Sequence, residues 1–216
     1  MDLDQRLLRK AYFWSKILGR LPGVRAVFLS GSVAQGLAKE TSDIDILVVA
    51  KYRRIWVARF LIFSVLKFFE QIATEKDHAG KICPNHFITD HSLEIQEKDA
   101  YSAALFSCNI PLYDPDHVFP HLVAANEEWI KSFGERFFEP PAPGFGLPKK
   151  TKNLPKLVIE ILMKRLQIWK IKKNPDFQIP GAKIILSDTE IRFHPRPKSR
   201  NAKVKKLETP PPTHKK

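Results

Sequence analysis

The chain has 216 residues, of which 44% are hydrophobic and 11% aromatic, enough apolar material for one domain with a sizeable core. The formal net charge is +13, and residues 149–216 hold the whole basic excess, with 19 Lys and Arg against 5 Asp and Glu. The two cysteines, Cys83 and Cys108, have no CxxC spacing and indicate neither a disulfide framework nor a zinc site.

The basic excess in the last third of the chain suggests a polyanionic partner such as RNA, DNA or an acidic surface. A solvated face followed by a disordered basic tail explains the same charges equally well. Residues 1–20 carry charges throughout, so we predict no signal peptide and a cytoplasmic protein.

The first predicted element is an amphipathic helix over residues 3–21, because its apolar side chains recur at helical spacing. Pro22-Gly23 ends this helix, and a first strand is predicted over residues 24–30. A short helix over residues 33–40 and a second strand over residues 44–50 are predicted to follow.

Residues 28–49, FLSGSVAQGLAKETSDIDILVV, form the most informative stretch of the chain. Two apolar runs are joined by a polar connector that opens with Gly31-Ser32. Gly31 permits a tight turn and a close backbone approach, and Ser32 places a hydroxyl where a helix begins. The unpaired N–H groups of such a helix start can bind an anion, so a phosphate site is predicted here.

The connector closes with Ser42-Asp43-Ile44-Asp45. Asp43 and Asp45 are two residues apart on a predicted strand, so both carboxylates face the same side while Ile44 points into the core. Two carboxylates placed in this way can share divalent cations. Mg²⁺ suits such a site because it takes oxygen ligands and completes its octahedron with waters and substrate phosphates.

This pattern resembles the signature of the nucleotidyltransferase superfamily typified by DNA polymerase beta, kanamycin nucleotidyltransferase and the minimal bacterial nucleotidyltransferases. The resemblance is strong over residues 24–50 and extends weakly to residue 115. It implies an α/β (α+β) fold of the polymerase-beta type. The sheet is expected to be small and mixed, with its first two strands side by side and the motif at one end.

The resemblance also implies roles for individual residues. Gly31, Ser32 and Ser42 would bind the nucleotide, with Gly31 and Ser32 at its phosphates. Asp43 and Asp45 would hold two Mg²⁺ ions for transfer of a nucleoside monophosphate from an NTP to an acceptor.

The chain departs from the family pattern at the third acid. Members that transfer nucleotides usually carry it on the strand beside Asp-x-Asp, where it completes the metal site and can act as general base. The predicted third strand, residues 81–89, has no acid in its middle. Asn85 takes that place as a neutral, weaker ligand, with Asp90 and Glu94 as alternatives, while His86 is expected on the other face as a structural histidine. A missing general base typically costs about a hundred- to ten-thousand-fold in rate.

Residues 55–73 are the most hydrophobic run in the chain and approach the length of a membrane span. Arg59, Lys67 and Glu70 argue against a span because charges at membrane depth are costly. We therefore predict a helix packed across the sheet, with an interfacial helix as the remaining alternative.

Further helices are predicted over residues 97–107 and 119–138, the second with a break near Gly134. A short extended segment at residues 110–113 separates them. These elements complete a predicted nucleotidyltransferase domain over residues 1–138.

A linker is predicted over residues 139–155, which contain five prolines and two glycines. Residues 156–193 form a predicted helical C-terminal extension, with a short strand or hairpin at residues 183–193. Its helix, residues 156–173, carries an apolar stripe that indicates packing on the core, a homo-oligomer or a partner protein. Residues 194–216 form a basic tail that is predicted to be disordered.

The predicted function is metal-dependent transfer of a nucleoside monophosphate from an NTP to an acceptor, which is RNA, a protein or a small molecule. No membrane partner is expected. The missing third acid leaves open a catalytically weak or inactive nucleotide-binding or partner-binding module. The basic last third leaves open a basic RNA-binding protein.

Overall fold

The computed structural model describes residues 2–135, 137, 157–174 and 183–194. Within this part, the elements along the chain are α1 (Leu3–Gly19), β1 (Val24–Leu29), α2 (Gly31–Ala34), β2 (Ile44–Ala50), α3 (Ile55–Phe68), β3 (Ile82–Thr89), α4 (Ala100–Ser107), β4 (Ile110–Tyr113), α5 (Phe119–Ser132), α6 (Val158–Lys172), β5 (Lys183–Leu186) and β6 (Glu190–His194). The predicted linker at residues 139–155 and residues 195–216 of the predicted tail lie outside the described residues.

The strands form one six-stranded sheet in the order β4-β1-β2-β3-β6-β5. β2 and β3 are parallel, and the other neighbouring pairs are antiparallel. A parallel pair needs a crossover connection, which α3 supplies between β2 and β3. The predicted α/β fold with a small mixed sheet is therefore confirmed, and its first two strands lie side by side.

Helices cover both faces of the sheet. On the face that we call the α1/α3 face, Leu18 and Ile62 are fully buried in one apolar cluster. On the opposite face, the α4/α5 face, a second cluster surrounds Phe106 and Ile130. The alternation of side chains along β2 divides its residues between the two clusters, which is why this central strand is apolar on both sides.

Most of the hydrophobic run at residues 55–73 folds as α3, which ends at Phe68 and packs on the sheet as predicted, with Trp56, Ile62 and Leu66 completely buried. None of the helices in the described part of the chain is both long and apolar enough to cross a membrane.

The C-terminal extension packs on the rest of the protein through α6, which contacts α3. The Glu160 carboxylate of α6, which is 1% exposed, accepts hydrogen bonds from the backbone N–H groups of Trp56 at 2.9 Å and Val57 at 3.0 Å. These N–H groups belong to the first turn of α3 and have no partner within their own helix. Glu160 therefore caps α3 from a helix more than a hundred residues away in sequence.

The extension is not only helical, because residues 183–194 form a hairpin that joins the main sheet. β6 pairs with β3, with Phe87 opposite Ile191, and β5 forms the edge. Propensity alone does not predict which edge a hairpin joins, since that depends on tertiary contacts.

Several helices differ from their predicted bounds. The short helix expected at residues 33–40 is instead a single turn that begins at Gly31. The helix expected from residue 97 begins at Ala100, because the Asp99 side chain caps it by accepting from Ser102 N–H at 2.8 Å. The helix expected over residues 119–138 ends at Ser132, two residues before the predicted break at Gly134.

Candidate active site

The motif residues meet where β1 ends and β2 begins. Ser30, directly after β1, donates its backbone N–H to the Asp45 carbonyl at 3.0 Å and so continues the antiparallel pairing of the two strands. The chain then turns into α2, which places Gly31-Ser32 beside Asp45. Ile44 and Ile46, on either side of Asp45, are buried as the alternation predicted.

Gly31 packs directly against the Asp45 carboxylate. Its φ is +71°, a left-handed conformation that L side chains rarely adopt. A Cβ added at Gly31 would lie 2.9 Å from Asp45 Cγ and would collide with Oδ2. Conformation and space therefore both require glycine here.

Ser32 and Ser42 connect the two ends of the polar connector. Their hydroxyl oxygens are 3.3 Å apart, and Ser42 Oγ also accepts the Lys39 backbone N–H at 2.9 Å. This contact brings Ser42 to the start of α2. The three residues predicted to bind the nucleotide, Gly31, Ser32 and Ser42, thus lie together beside the two acids.

One cluster in the described part of the chain can hold a metal ion. It consists of Asp43, Asp45 and Cys83, and one ligand atom from each lies within 4.8 Å of the others. The carboxylate and thiol donors of this cluster fit a divalent cation.

Asn85, predicted as the third ligand, instead points its amide nitrogen at the site. Its Nδ2 donates to Asp45 Oδ1 at 2.9 Å. A donor nitrogen cannot bind a cation, so in this arrangement Asn85 orients the Asp45 carboxylate.

Cys83 lies on the strand where a third ligand is expected, although the sequence pattern did not indicate a cysteine there. The parallel register of β2 and β3 pairs Asp45 with Cys83. Burial raises the pKa of the Cys83 thiol well above its ordinary value, and the negative charges of Asp45 and Asp43 raise it further. An alignment of the two predicted strands that placed Ile44 opposite Ile82 would have revealed this neighbour.

A register irregularity in β3 corrects the prediction for His86. Cys83 pairs with Asp45 and His86 pairs with Leu47. Two residues of β3, at positions 84 and 85, therefore lie opposite the single residue Ile46 of β2. His86 consequently lies on the same sheet face as Asp45, and not on the opposite one. There it is 3% exposed, its Nε2 lies 3.0 Å from Glu190 Oε1, and burial lowers its pKa.

Asp90 and Glu94, the alternative third ligands, lie outside the cluster. Asp90 N–H donates to the carbonyl of Ala50, five residues along β2 from Asp45, which corresponds to about 16 Å. Its buried carboxylate forms an ion pair with Arg25 and accepts the Tyr52 N–H at 2.8 Å. Glu94 forms an exposed ion pair with Lys98.

Two further polar side chains, which the sequence did not indicate, lie next to Asp45 on the side of the sheet opposite Cys83. Ser30 is the cross-strand neighbour of Asp45, and the pairing of Leu29 with Ile110 puts Asn109 next to Ser30. Ser30 is 5% exposed and Asn109 is 4% exposed. The Ser30 hydroxyl and the Asn109 amide make no side-chain hydrogen bond within the described part of the chain. They give the site a polar edge on the side away from Cys83.

Residues 14–83 match the family model described as "Nucleotidyltransferase domain", and this match contains Gly31-Ser32, both aspartates and Cys83. Over these residues the chain is similar to nucleotidyltransferase domains. No curated protein matches the chain significantly.

Two crystal structures also resemble parts of the chain. One is a toxin–antitoxin with AMP-PNP, 16% identical, with a TM-score of 0.34, covering 57% of this chain and 86% of that one. The other is a candidate nucleotidyltransferase from Sulfolobus solfataricus, 19% identical, with a TM-score of 0.31, covering 53% of this chain and 86% of that one.

Proposed function

We propose that the protein is a metal-dependent nucleotidyltransferase that moves a nucleoside monophosphate from an NTP to an acceptor hydroxyl. The observation that carries this proposal is the direct packing of Gly31 on the Asp45 carboxylate inside the residues that are similar to nucleotidyltransferase domains. A tight glycine turn that touches a metal-binding carboxylate brings phosphate-binding groups and cation-binding groups to one point. Nucleotidyl transfer needs both of these at the triphosphate.

The protein's own groups would bind and orient the substrate. The Gly31-Ser32 backbone and the Ser32 hydroxyl would hold the β- and γ-phosphates, while the Ser32–Ser42 contact fixes the connector around them. The Asn85 amide holds Asp45 in one orientation. Asp43 and Asp45 would hold Mg²⁺, which when bound neutralises charge on the triphosphate and on the attacking and leaving oxygens.

A nucleotide-binding module with weak or no catalysis is the second candidate function. The observation that favours it is the identity of the third side chain in the cluster, a thiol and not a carboxylate. A carboxylate there would supply both a metal ligand and a base for the acceptor hydroxyl. This candidate predicts NTP binding that depends on Asp43 and Asp45 without measurable transfer.

We also propose that the outer face of α6 binds a partner protein. Val158, Leu162, Leu166 and Trp169 recur at helical spacing and are 73%, 51%, 41% and 55% exposed. Exposed apolar side chains that are contiguous on one helix are typical of an interaction surface.

The charges on α6 favour an acidic partner over a second copy of the chain. Arg165, Lys170 and Lys172 are exposed next to the apolar stripe, and a symmetric dimer through this stripe would bring the basic side chains of both copies close together. Light scattering on the purified chain is expected to give the monomer mass. A dimer that dissociates in Leu162→Glu would contradict the acidic partner and indicate self-association.

The experiment that tests the proposed activity also identifies the acceptor. The full chain is incubated with Mg²⁺, cell extract and each NTP labelled at the α-phosphate, and the labelled product is treated with protease or ribonuclease. Asp43→Asn/Asp45→Asn is expected to transfer no label. Glu127→Gln/Glu128→Gln on α5 makes the same charge change away from the site and is expected to transfer as well as the unmutated chain.

Each result separates the candidate functions. Protease-sensitive, ribonuclease-sensitive or resistant product identifies a protein, RNA or small-molecule acceptor. Nucleotide binding without labelled product would favour the binding module. Equal transfer by the Asp43→Asn/Asp45→Asn variant would refute the site.

A further inference from the structure

We propose that Cys83 is a protein ligand of this metal site and that the ion it contacts is a thiophilic divalent cation of the Zn²⁺, Co²⁺ or Cd²⁺ type. An ion held by the carboxylates alone would keep the preference for Mg²⁺. The inference rests on the proposed function, because it concerns the ions that Asp43 and Asp45 would hold.

The distances in the cluster permit coordination. The ligand atoms of Asp43, Asp45 and Cys83 are at most 4.8 Å apart. In the tetrahedral geometry that Zn²⁺ prefers, bonds of about 2.0 Å to oxygen and about 2.3 Å to sulfur place the two ligand atoms about 3.5 Å apart. Coordination therefore requires side-chain rotations that bring the most separated ligand atoms closer together.

The strands hold the sulfur in place. Cys83 is the register partner of Asp45 in the parallel β2/β3 pair, and the irregularity in β3 begins only after it. Ligands on paired strands are positioned more precisely than ligands on loops. Asn85 does not compete for the ion, because it presents Nδ2 to Asp45.

The donor atoms decide which cation binds. Mg²⁺ takes oxygen ligands, whereas a thiolate favours Zn²⁺, Cd²⁺ and similar ions. Sulfur binds as the thiolate, so the Cys83 proton is released to solvent when the ion binds. In the alternative arrangement, Cys83 is a thiol that lies beside ions held only by oxygen. The two arrangements predict different spectra.

The test is a titration of the full chain with Co²⁺. Coordination by the thiolate is detected as the near-ultraviolet absorption band that arises when a thiolate transfers charge to cobalt. Equilibrium dialysis measures bound Co²⁺ in parallel. The unmutated chain and Cys108→Ser, which removes the other cysteine, are expected to show the band. Cys83→Ser is expected to lose the band and to bind Co²⁺ about tenfold more weakly or worse, because losing a ligand should cost at least as much as losing one of its supporting residues.

Competition measures the selectivity. Zn²⁺ is expected to displace Co²⁺ from the unmutated chain at a far lower concentration than Mg²⁺ does. In Cys83→Asp, which has only oxygen donors, the concentrations of Zn²⁺ and Mg²⁺ needed to displace Co²⁺ are expected to be closer to each other. Circular dichroism melts show whether each variant is folded, and if Cys83→Asp is unfolded the Cys83→Ser result decides.

The outcomes separate this inference from the proposed function. Bound Co²⁺ without the band, or an equal band in Cys83→Ser, overturns the role of Cys83 and leaves the carboxylate site intact. No Co²⁺ bound to the unmutated chain overturns both, because Asp43 and Asp45 would then hold no metal.

Discussion

The α-carbon of Gly31 packs on the Asp45 carboxylate so closely that any side chain at position 31 would displace it. Gly31→Ala is therefore expected to lower transfer about a hundred-fold, the cost of moving a reacting group by about an ångström. It is also expected to lower the free energy of unfolding by more than about 1 kcal/mol, because φ at Gly31 is +71°. Label transfer and urea denaturation measure the two effects.

Gly36 offers the matched control. Its φ is +64°, but an added Cβ there would meet no atom within 4 Å. Gly36→Ala is expected to show the backbone strain without the loss of transfer. If the two variants lost transfer equally, the Gly31–Asp45 contact would not be the cause.

The alkylation of Cys83 tests the electrostatics of the cluster. Burial and the charges of Asp45 and Asp43 raise the pKa of this thiol, so the reactive thiolate forms only above the ordinary pH range of a cysteine. In a Cys108→Ser background, the rate of reaction with iodoacetamide is expected to rise at a higher pH than it does for an ordinary cysteine. Asp43→Asn removes one negative charge, lowers the pKa and shifts the rate curve to lower pH. Mass spectrometry follows the reaction, and a curve that does not move would contradict this electrostatic coupling.

Glu160 is expected to stabilise the attachment of α6 to α3. Glu160→Ala removes the acceptor for the Trp56 and Val57 N–H groups and is expected to lower the free energy of unfolding by about 1 to 3 kcal/mol. Glu160→Gln keeps an acceptor oxygen and should cost less. Glu128→Ala at an exposed position of α5 is the control, and chemical denaturation is the measurement. A Glu160→Ala variant as stable as this control would show that the cap contributes nothing.

Asp90 is expected to act in stability and not in metal binding. Asp90→Ala leaves Arg25 buried without its main partner, and breaking a buried ion pair typically costs about 3 to 5 kcal/mol. Co²⁺ affinity in the folded variant should equal that of the unmutated chain, whereas Asp45→Asn should lower it. If Asp90→Ala lowered the Co²⁺ affinity as much as Asp45→Asn does, this result would indicate that Asp90 is a metal ligand.

The local elements of the fold could be predicted from the sequence because they follow from periodicity and turn residues. The second strand was predicted with its observed bounds, and the apolar run at residues 55–73 was predicted as a buried helix. The spacing of Gly31-Ser32 and of Asp43 and Asp45 predicted that these residues lie close together, as they do in the structure.

The third side chain of the cluster could not be predicted, because it depends on the pairing of two strands separated by a helix. Polarity alone favours Asn85 for this place, whereas the register aligns Asp45 with Cys83. The irregularity that follows turns His86 to the site's face of the sheet, and alternation along β3 alone gives the opposite answer. The Glu160 cap was hidden for the same reason, since it joins residues more than a hundred positions apart.

The most direct test of nucleotidyl transfer compares two positions of the label on the same NTP. The full chain is incubated with acceptor-containing extract and with NTP labelled at either the α- or the γ-phosphate. Nucleotidyl transfer moves the α-label into the product and releases the γ-label with pyrophosphate. Asp43→Asn/Asp45→Asn is expected to lower α-label transfer at least about a hundred-fold, because bound metal ions contribute several kcal/mol of charge stabilisation. Transfer of the γ-label, or α-label transfer unchanged in the variant, would contradict nucleotidyl transfer at Asp43 and Asp45.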